Sequence, residues 1–144
     1  MSEHLFLYGT LLPEHAPAEL ARVVSRLHPV GRGSIGGVHY DLGNFPGAVL
    51  NSWSRKRIYG TVFRLPDDPA VLNELDVYEG FEPTFPERSL FKRRRCCARL
   101  SSGRTLVCWI YEYNRRHQHA AILSGGRYRT KAARSTADAG QGAR

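Results

Sequence analysis

Glu79 stands directly before Gly80 in the run Leu75-Asp76-Val77-Tyr78-Glu79-Gly80, and this run closes what reads as a short helix. The last carbonyls of a helix carry about half a negative charge, so a carboxylate there is disfavoured by roughly 0.3–1 kcal/mol at an exposed site. The same repulsion raises the carboxyl pKa, and partial burial pushes it the same way. A glutamate so placed moves toward the range in which it both takes and gives a proton near neutral pH, the chemistry of a general acid/base. Taken alone, the local pattern is met more simply by a Glu79 that points into solvent. Glu74 and Asp76 near the same helix end also dilute any argument from one carboxylate. The second candidate is Tyr8-Gly9-Thr10-Leu11, where a glycine follows an apolar run. Glycine there lets successive backbone N–H groups of Gly9, Thr10 and Leu11 turn toward one point, as in an anion site or oxyanion hole. Turns of this kind also serve simply as connections.

These groups need elements to hold them. His4 to Tyr8 reads as a first strand stopped by Gly9. Leu20, Val23, Val24 and Leu27 follow helical spacing after Pro17. Val30 to Leu42, with Gly31, Gly33, Gly36 and Gly37, is expected to break into short strands, followed by strands at Ala48–Leu50 and Ile58–Leu65. Asp67-Asp68-Pro69 supplies a cap and a first-turn proline, and Val71, Leu72, Leu75 and Tyr78 form the apolar stripe of a docked helix that Gly80 ends. Leu90–Leu100 and Thr105–Tyr113 flank Ser101-Ser102-Gly103-Arg104 as a hairpin. In its second strand Leu106, Cys108 and Ile110 share one face, and Val107, Trp109, Tyr111 and Tyr113 the other. Two apolar faces imply a closed or helix-covered sheet. His117 to Leu123 is expected to form a short helix. One domain over 1–128 is expected, with a basic, flexible tail over 129–144 whose composition cannot bury enough apolar area to order itself.

Composition removes several classes of function. The chain has 42% hydrophobic and 24% charged residues, and its apolar runs are only a few residues long, so no membrane-spanning helix can be built. Met1-Ser2-Glu3-His4 lacks a basic leader, and a cytoplasmic protein is expected. Cys96, Cys97 and Cys108 match neither a zinc spacing nor a secreted disulfide framework, and reduced structural thiols are expected. Adjacent Cys96 and Cys97 would face opposite sides of a strand. His117 and His119 have no third ligand at a suitable spacing, so no metal is expected. Of the net charge of +8, residues 127–144 supply +4, from five basic residues against Asp138, and Lys92-Arg93-Arg94-Arg95 matches the remainder. Charge confined to a tail and one strand does not describe a basic face with interleaved aromatics, which argues against nucleic acid as the main partner.

Five stretches in this order resemble the γ-glutamylcyclotransferase family, in its AIG2-like and γ-glutamylamine cyclotransferase branch. They are YGTLL at Tyr8–Leu12, YDLGNFPGAVL at Tyr40–Leu50, IYGTVFRL at Ile58–Leu65, LDVYEG at Leu75–Gly80 and WIY at Trp109–Tyr111. The resemblance implies an α+β fold, a small mixed β-barrel with a few flanking helices. It implies an enzyme that releases 5-oxoproline and a free amine from a γ-glutamyl amide, with no cofactor or metal. Glu79 matches the acid/base, and Tyr8, Gly9, Thr10 and Leu11 the substrate cradle. Tyr111 matches a tyrosine on a late strand that reaches the substrate, with a core aromatic as its alternative. Arg88 matches a family arginine, with an ion pair or surface role as its alternative. The chain departs from the family at Pro86, where a tyrosine commonly precedes that arginine by two residues, and at Arg127-Tyr128, where an Asp-Trp pair is common. Two other classes stay open on the sequence: a non-catalytic module binding a small ligand on the same fold, and an RNA-associated basic protein.

Overall fold

The structure, a computed structural model, describes residues 3–9, 12–13, 16–43, 45–115 and 120–123. Seven strands, β1 (His4–Leu7), β2 (His28–Asp41), β3 (Pro46–Leu50), β4 (Arg57–Arg64), β5 (Phe91–Leu100), β6 (Thr105–Tyr113) and β7 (Ala121–Ile122), share one sheet with helices α1 (Ala21–Val24) and α2 (Pro69–Glu79). Antiparallel pairings run β1–β4, β4–β2 and β2–β3. Parallel bridges of β6 to β3 at Ala48↔Glu112 and to β1 at Leu5↔Trp109 then close the ring. The result is a small mixed barrel of five strands, with β5 laid along β6 as the second half of a hairpin.

Strand alternation explains why both faces of β1 are apolar. Leu5 and Leu7 pack with Val23, Val24, Val71 and Leu75 of the helices, whereas Phe6 and Tyr8 point into the barrel with Ile58, Val62 and Ile110. The two faces read in β6 divide the same way, Cys108 and Ile110 going inside the barrel and Tyr111 to the helix side, while Val107 is exposed. Cys96 and Cys108 sit opposite each other across β5–β6 with sulfurs 3.7 Å apart, and Cys97 faces outward.

Two expectations about local structure are corrected. The stretch expected as short strands over Val30–Leu42 is instead, up to Asp41, part of the single long strand β2, with a register irregularity between Pro29 and Gly31. Its glycines permit close approach instead of breaking the strand: a Cβ on Gly33 would lie 2.8 Å from the Arg99 carbonyl oxygen, and one on Gly37 would lie 2.5 Å from that of Val49. The helix expected over His117–Leu123 is also replaced where it can be seen. Ala121 and Ile122 form β7 and pair with Asp41 and Tyr40, a tertiary pairing that local helical spacing cannot anticipate. Residues 117–119 and the tail over 129–144 lie outside the described residues.

Three residues of the run Lys92–Arg95 are held in ion pairs. Arg93 pairs with Asp76, Arg94 with Glu112 and Arg95 with Glu3, each at 3.0 Å or less. Arg93 and Arg95 also lie over the Trp109 ring, at 4.4 and 4.1 Å from its centre. Among the described residues no helix is long and apolar enough to cross a membrane.

Candidate active site

Helix α2 delivers Glu79. Asp68 caps its start by accepting the Ala70 N–H at 3.0 Å, and Pro69 occupies the first turn where no N–H is needed. At the other end Gly80 takes the left-handed conformation at φ 70°, with its N–H on Val77 and the Phe81 N–H on the Asp76 carbonyl. Gly80 in turn accepts the Leu90 N–H at 3.0 Å, so the chain returns beside the helix end and enters β5 at Phe91. Ser89 is buried and holds this return, its hydroxyl accepting the Glu82 N–H at 2.8 Å.

A cavity of about 310 Å³ opens at this point. Glu79, Tyr78, Leu90 and Phe91 form one side, Tyr8 and Gly9 with the end of β1 another, and Phe45, Pro46 and Tyr111 the rest. This volume suits a small ligand held by few polar groups on apolar walls. Burial pushes the Glu79 carboxyl up to about 8. Its carboxylate is near enough to both Tyr8 and Tyr111 that its charge adds to the burial raising both phenols. The expected sense of the Glu79 shift is therefore met, with burial as its cause.

Gly9 has no room for a side chain. A Cβ there would lie 2.7 Å from Pro46 Cγ. Glycine therefore lets the end of β1 and the start of β3 meet at the cavity wall. Thr10 and Leu11 lie outside the described residues, while Gly9 accepts the Leu12 N–H at 3.0 Å. The Tyr8 hydroxyl donates to the Tyr111 carbonyl at 2.5 Å and accepts the Ala48 N–H at 3.1 Å. Tyr8 thus ties β1 to β6 and β3 beneath the cavity.

Tyr111 is buried, and its hydroxyl donates to Asp76 Oδ1 at 2.7 Å. Arg93 grips the same carboxylate with two hydrogen bonds, Nε to Oδ1 at 2.9 Å and a terminal nitrogen to Oδ2 at 3.1 Å. Sequence reading treated Asp76 as a bystander and missed Arg93. The available signals were the three-residue offset of Asp76 from Glu79 on one helix and the aromatic-x-arginine spacing of Phe91 and Arg93. That spacing is the one Pro86 and Arg88 do not meet. Arg88 is exposed over the Phe85 ring, 5.2 Å from its centre, and is not among the cavity-lining residues. The remaining walls, Phe45, Pro46 and Phe91, also went unremarked as site residues.

A small closed barrel with flanking helices, and a helix-end carboxyl of raised pKa on the wall of a cavity, defines an α+β fold class. Residues 5–130 match the family model described as gamma-glutamyl cyclotransferase, AIG2-like, and the chain belongs to that family. Among solved structures it is similar to YkqA from Bacillus subtilis, at 19% identity and a TM-score of 0.67, over 98% of this chain and 44% of that one. It thus spans less than half of that protein's length. An AIG2-like protein from Mus musculus is similar at 16% identity and a TM-score of 0.69, over 89% of this chain and 88% of that one. The protein ytfP from Escherichia coli is similar at 24% identity and a TM-score of 0.60, over 87% of this chain and 95% of that one. At these identities the structural likeness concerns the fold. No curated protein matches the sequence.

Proposed function

We propose that the protein is a cyclotransferase acting on a γ-glutamyl amide, with Glu79 as the proton carrier. The carrying observation is Glu79 itself: a carboxyl raised to about 8 on the wall of a small cavity that it shares with Tyr8 and Gly9.

The substrate contains its own nucleophile. Its α-amine attacks the γ-carbonyl carbon, a new C–N bond closes a five-membered lactam, and the bond to the departing amine breaks. The products are 5-oxoproline and a free amine. The α-ammonium must first lose a proton, and the leaving nitrogen must gain one, so one carboxyl can move the same proton from the first to the second. A pKa near neutrality suits both halves of that task. The bound ammonium draws Glu79 back toward its carboxylate form before transfer.

The tetrahedral oxygen requires donors, and the backbone N–H groups of Gly9, Thr10 and Leu11 are our candidates; their alternative task is to hold the substrate α-carboxylate. Tyr111 completes the candidate substrate site. Arg88 is retained only as a residue that reaches the outer end of a longer substrate, since it stands off the cavity wall. The reaction asks for no enzyme-bound covalent intermediate.

The test is 5-oxoproline release from a panel of γ-glutamyl dipeptides and γ-glutamylamines, with wild type and Glu79→Gln assayed together. Turnover by wild type that falls by about 10²-fold or more in the variant supports the reading. Equal turnover by the two proteins overturns Glu79's role. Absence of turnover across the panel by folded protein favours a binding module on the same barrel.

A further inference from the structure

We infer that the outer face of the barrel wall formed by β4, β2 and β5 is a docking surface for single-stranded nucleic acid, with phosphates held by a set of arginines and bases stacked on Trp53 and Tyr59. The inference is independent of the cyclotransferase reading, since none of these residues lines the cavity.

Along the chain, basic residues gather in the tail and in Lys92–Arg95; the fold gathers a different set. β2 up to Tyr40, β3, β4, β5 and β6 up to Tyr111, with the turns β3–β4 and β5–β6, contain no Asp or Glu. Alternation decides which of their side chains face outward. Ile35, Ile58, Ala98 and Leu100 pack inside the barrel, so their neighbours Ser34, Arg57, Tyr59 and Arg99 lie on the outer face. Ser34 is paired with Tyr59 on β4 and with Arg99 on β5, and Arg32, two residues earlier on the same face, lies opposite Thr61. The Ser101 N–H donates to the Arg32 carbonyl at 2.9 Å and the Leu100 N–H to that of Arg104 at 2.7 Å, which brings the β5–β6 turn to the same end. Toward the other end Arg57 donates twice to Ser34, Nε to the hydroxyl at 3.0 Å and a terminal nitrogen to the carbonyl at 2.9 Å. Arg55 and Lys56 stand exposed just before it in the β3–β4 turn.

Arg32, Arg55, Lys56, Arg57, Arg99 and Arg104 thus share one face with no ion pair among the described residues, whereas Arg26, Arg93, Arg94 and Arg95 are each paired. Like charges gathered without partners repel one another and attract a polyanion. All but one of the six are arginine, whose planar fork holds phosphate oxygens in pairs. Trp53 adds the second component. It is 94% exposed in the β3–β4 turn, with its backbone N–H fixed on Asn51 Oδ1 at 3.0 Å, so an indole is presented to solvent from a defined turn. Unpaired bases stack on such rings, and Tyr59 supplies another on the face itself. Among the described residues no helix projects from this wall to enter a duplex groove, which points to a single strand. The hydroxyls of Ser34, Thr61 and Ser101 between the arginines suit a hydrogen-bonded sugar-phosphate backbone better than the apolar contact a bilayer requires.

The experiment measures fluorescence anisotropy of labelled oligouridine and oligothymidine with the full chain, from about 50 to 200 mM salt. The expected Kd is about 1–100 μM at the low-salt end, weakening with a log–log slope of about −2 or steeper, as for three or more phosphates at about −0.7 each. Arg32→Glu/Arg99→Glu should weaken binding by at least about tenfold and make the slope shallower by about 1.4. Arg22→Glu/Arg26→Glu, of the same net charge but on the helix side, should stay within about threefold of wild type. Trp53→Ala should cost about fivefold or more with the slope unchanged. If thermal melts show Arg32→Glu/Arg99→Glu to be unfolded, Arg55→Gln/Lys56→Gln in the exposed turn takes its place with the same expected sense. Equal losses in the two double-reversal variants show that net charge alone binds, and overturn the inference. So does failure of wild type to bind either oligonucleotide. Vesicles of equal parts phosphatidylserine and phosphatidylcholine are sedimented alongside, and retention on them without oligonucleotide binding overturns it in favour of a lipid surface. None of these outcomes touches the cyclotransferase reading, and Glu79→Gln should bind the oligonucleotides as wild type does.

Discussion

Asp76 and Glu79 are three residues apart on one helix, yet they face opposite circumstances: Asp76 is gripped by Arg93 and Tyr111, and Glu79 borders an apolar cavity where burial lifts its carboxyl to about 8. Two carboxyls on one helix end are separated in role by what packs against them.

The first consequence is a pH–rate profile. With a γ-glutamyl amide as substrate, kcat/KM should rise with pH along a limb of apparent pKa about 8, set by loss of the Glu79 proton in the free protein. Glu79→Gln should flatten that limb. A rising limb near 4.5, the ordinary glutamate value, would show that Glu79 is not held as described.

Stability should depend on the same proton. Unfolded, Glu79 titrates near 4.5; folded, near 8. Between these values the folded state holds a proton that the unfolded state has released, so Glu79's contribution is fully present below about 4.5 and is lost as pH rises through 8. The swing is at most about 4 to 5 kcal/mol, and less where water enters the cavity. Denaturant midpoints for wild type and Glu79→Gln from pH 4 to 9 should diverge, the variant gaining relative stability at the alkaline end. Parallel curves would refute the shift.

Gly9→Ala should damage the cavity wall. Its Cβ would fall 2.7 Å from Pro46 Cγ, so β1 and β3 must separate. A loss of about 1–3 kcal/mol by chemical denaturation is expected. A larger fractional loss of 5-oxoproline release than of folded protein is expected with it. A variant as stable and active as wild type would show that the junction yields freely.

The two arginines should behave unlike each other. Arg93→Ala leaves Asp76 without its bidentate partner in a buried place and should cost about 3–5 kcal/mol. Arg88→Ala lies on the surface and should change stability by no more than about 0.5 kcal/mol. Urea melts of both variants decide this, and equal costs would contradict the assignment of the ion pair.

Much of the fold was legible because its signals are local. Strand β1, helix α2 with its Asp68 cap and Gly80 stop, and the β5–β6 hairpin follow from alternation, helical spacing and turn residues within a few positions of each other. Two misreadings arose where distant chain overrides local pattern. The glycines of β2 look like strand breakers but are needed where other backbone crosses closely, and Ala121–Ile122 becomes a strand because β2 offers a free edge. Tyr78, assigned to the buried stripe of α2, is 41% exposed, while Asp76 is 5% exposed. Helical spacing identifies a face; it does not say whether an arginine from another strand will make burying a carboxylate favourable.

The sequence by itself determined strand β1, helix α2 and the β5–β6 hairpin, the placement of Glu79 at a helix end and of Gly9 after the first strand, because each depends on residues only a few positions apart. Only the tertiary structure decided that these two border one cavity with Pro46, Phe91 and Tyr111, and that Asp76 is joined to Arg93 and Tyr111. Those contacts exist because β6 bridges to both β1 and β3 and so closes the barrel, a long-range event that no short window of sequence encodes.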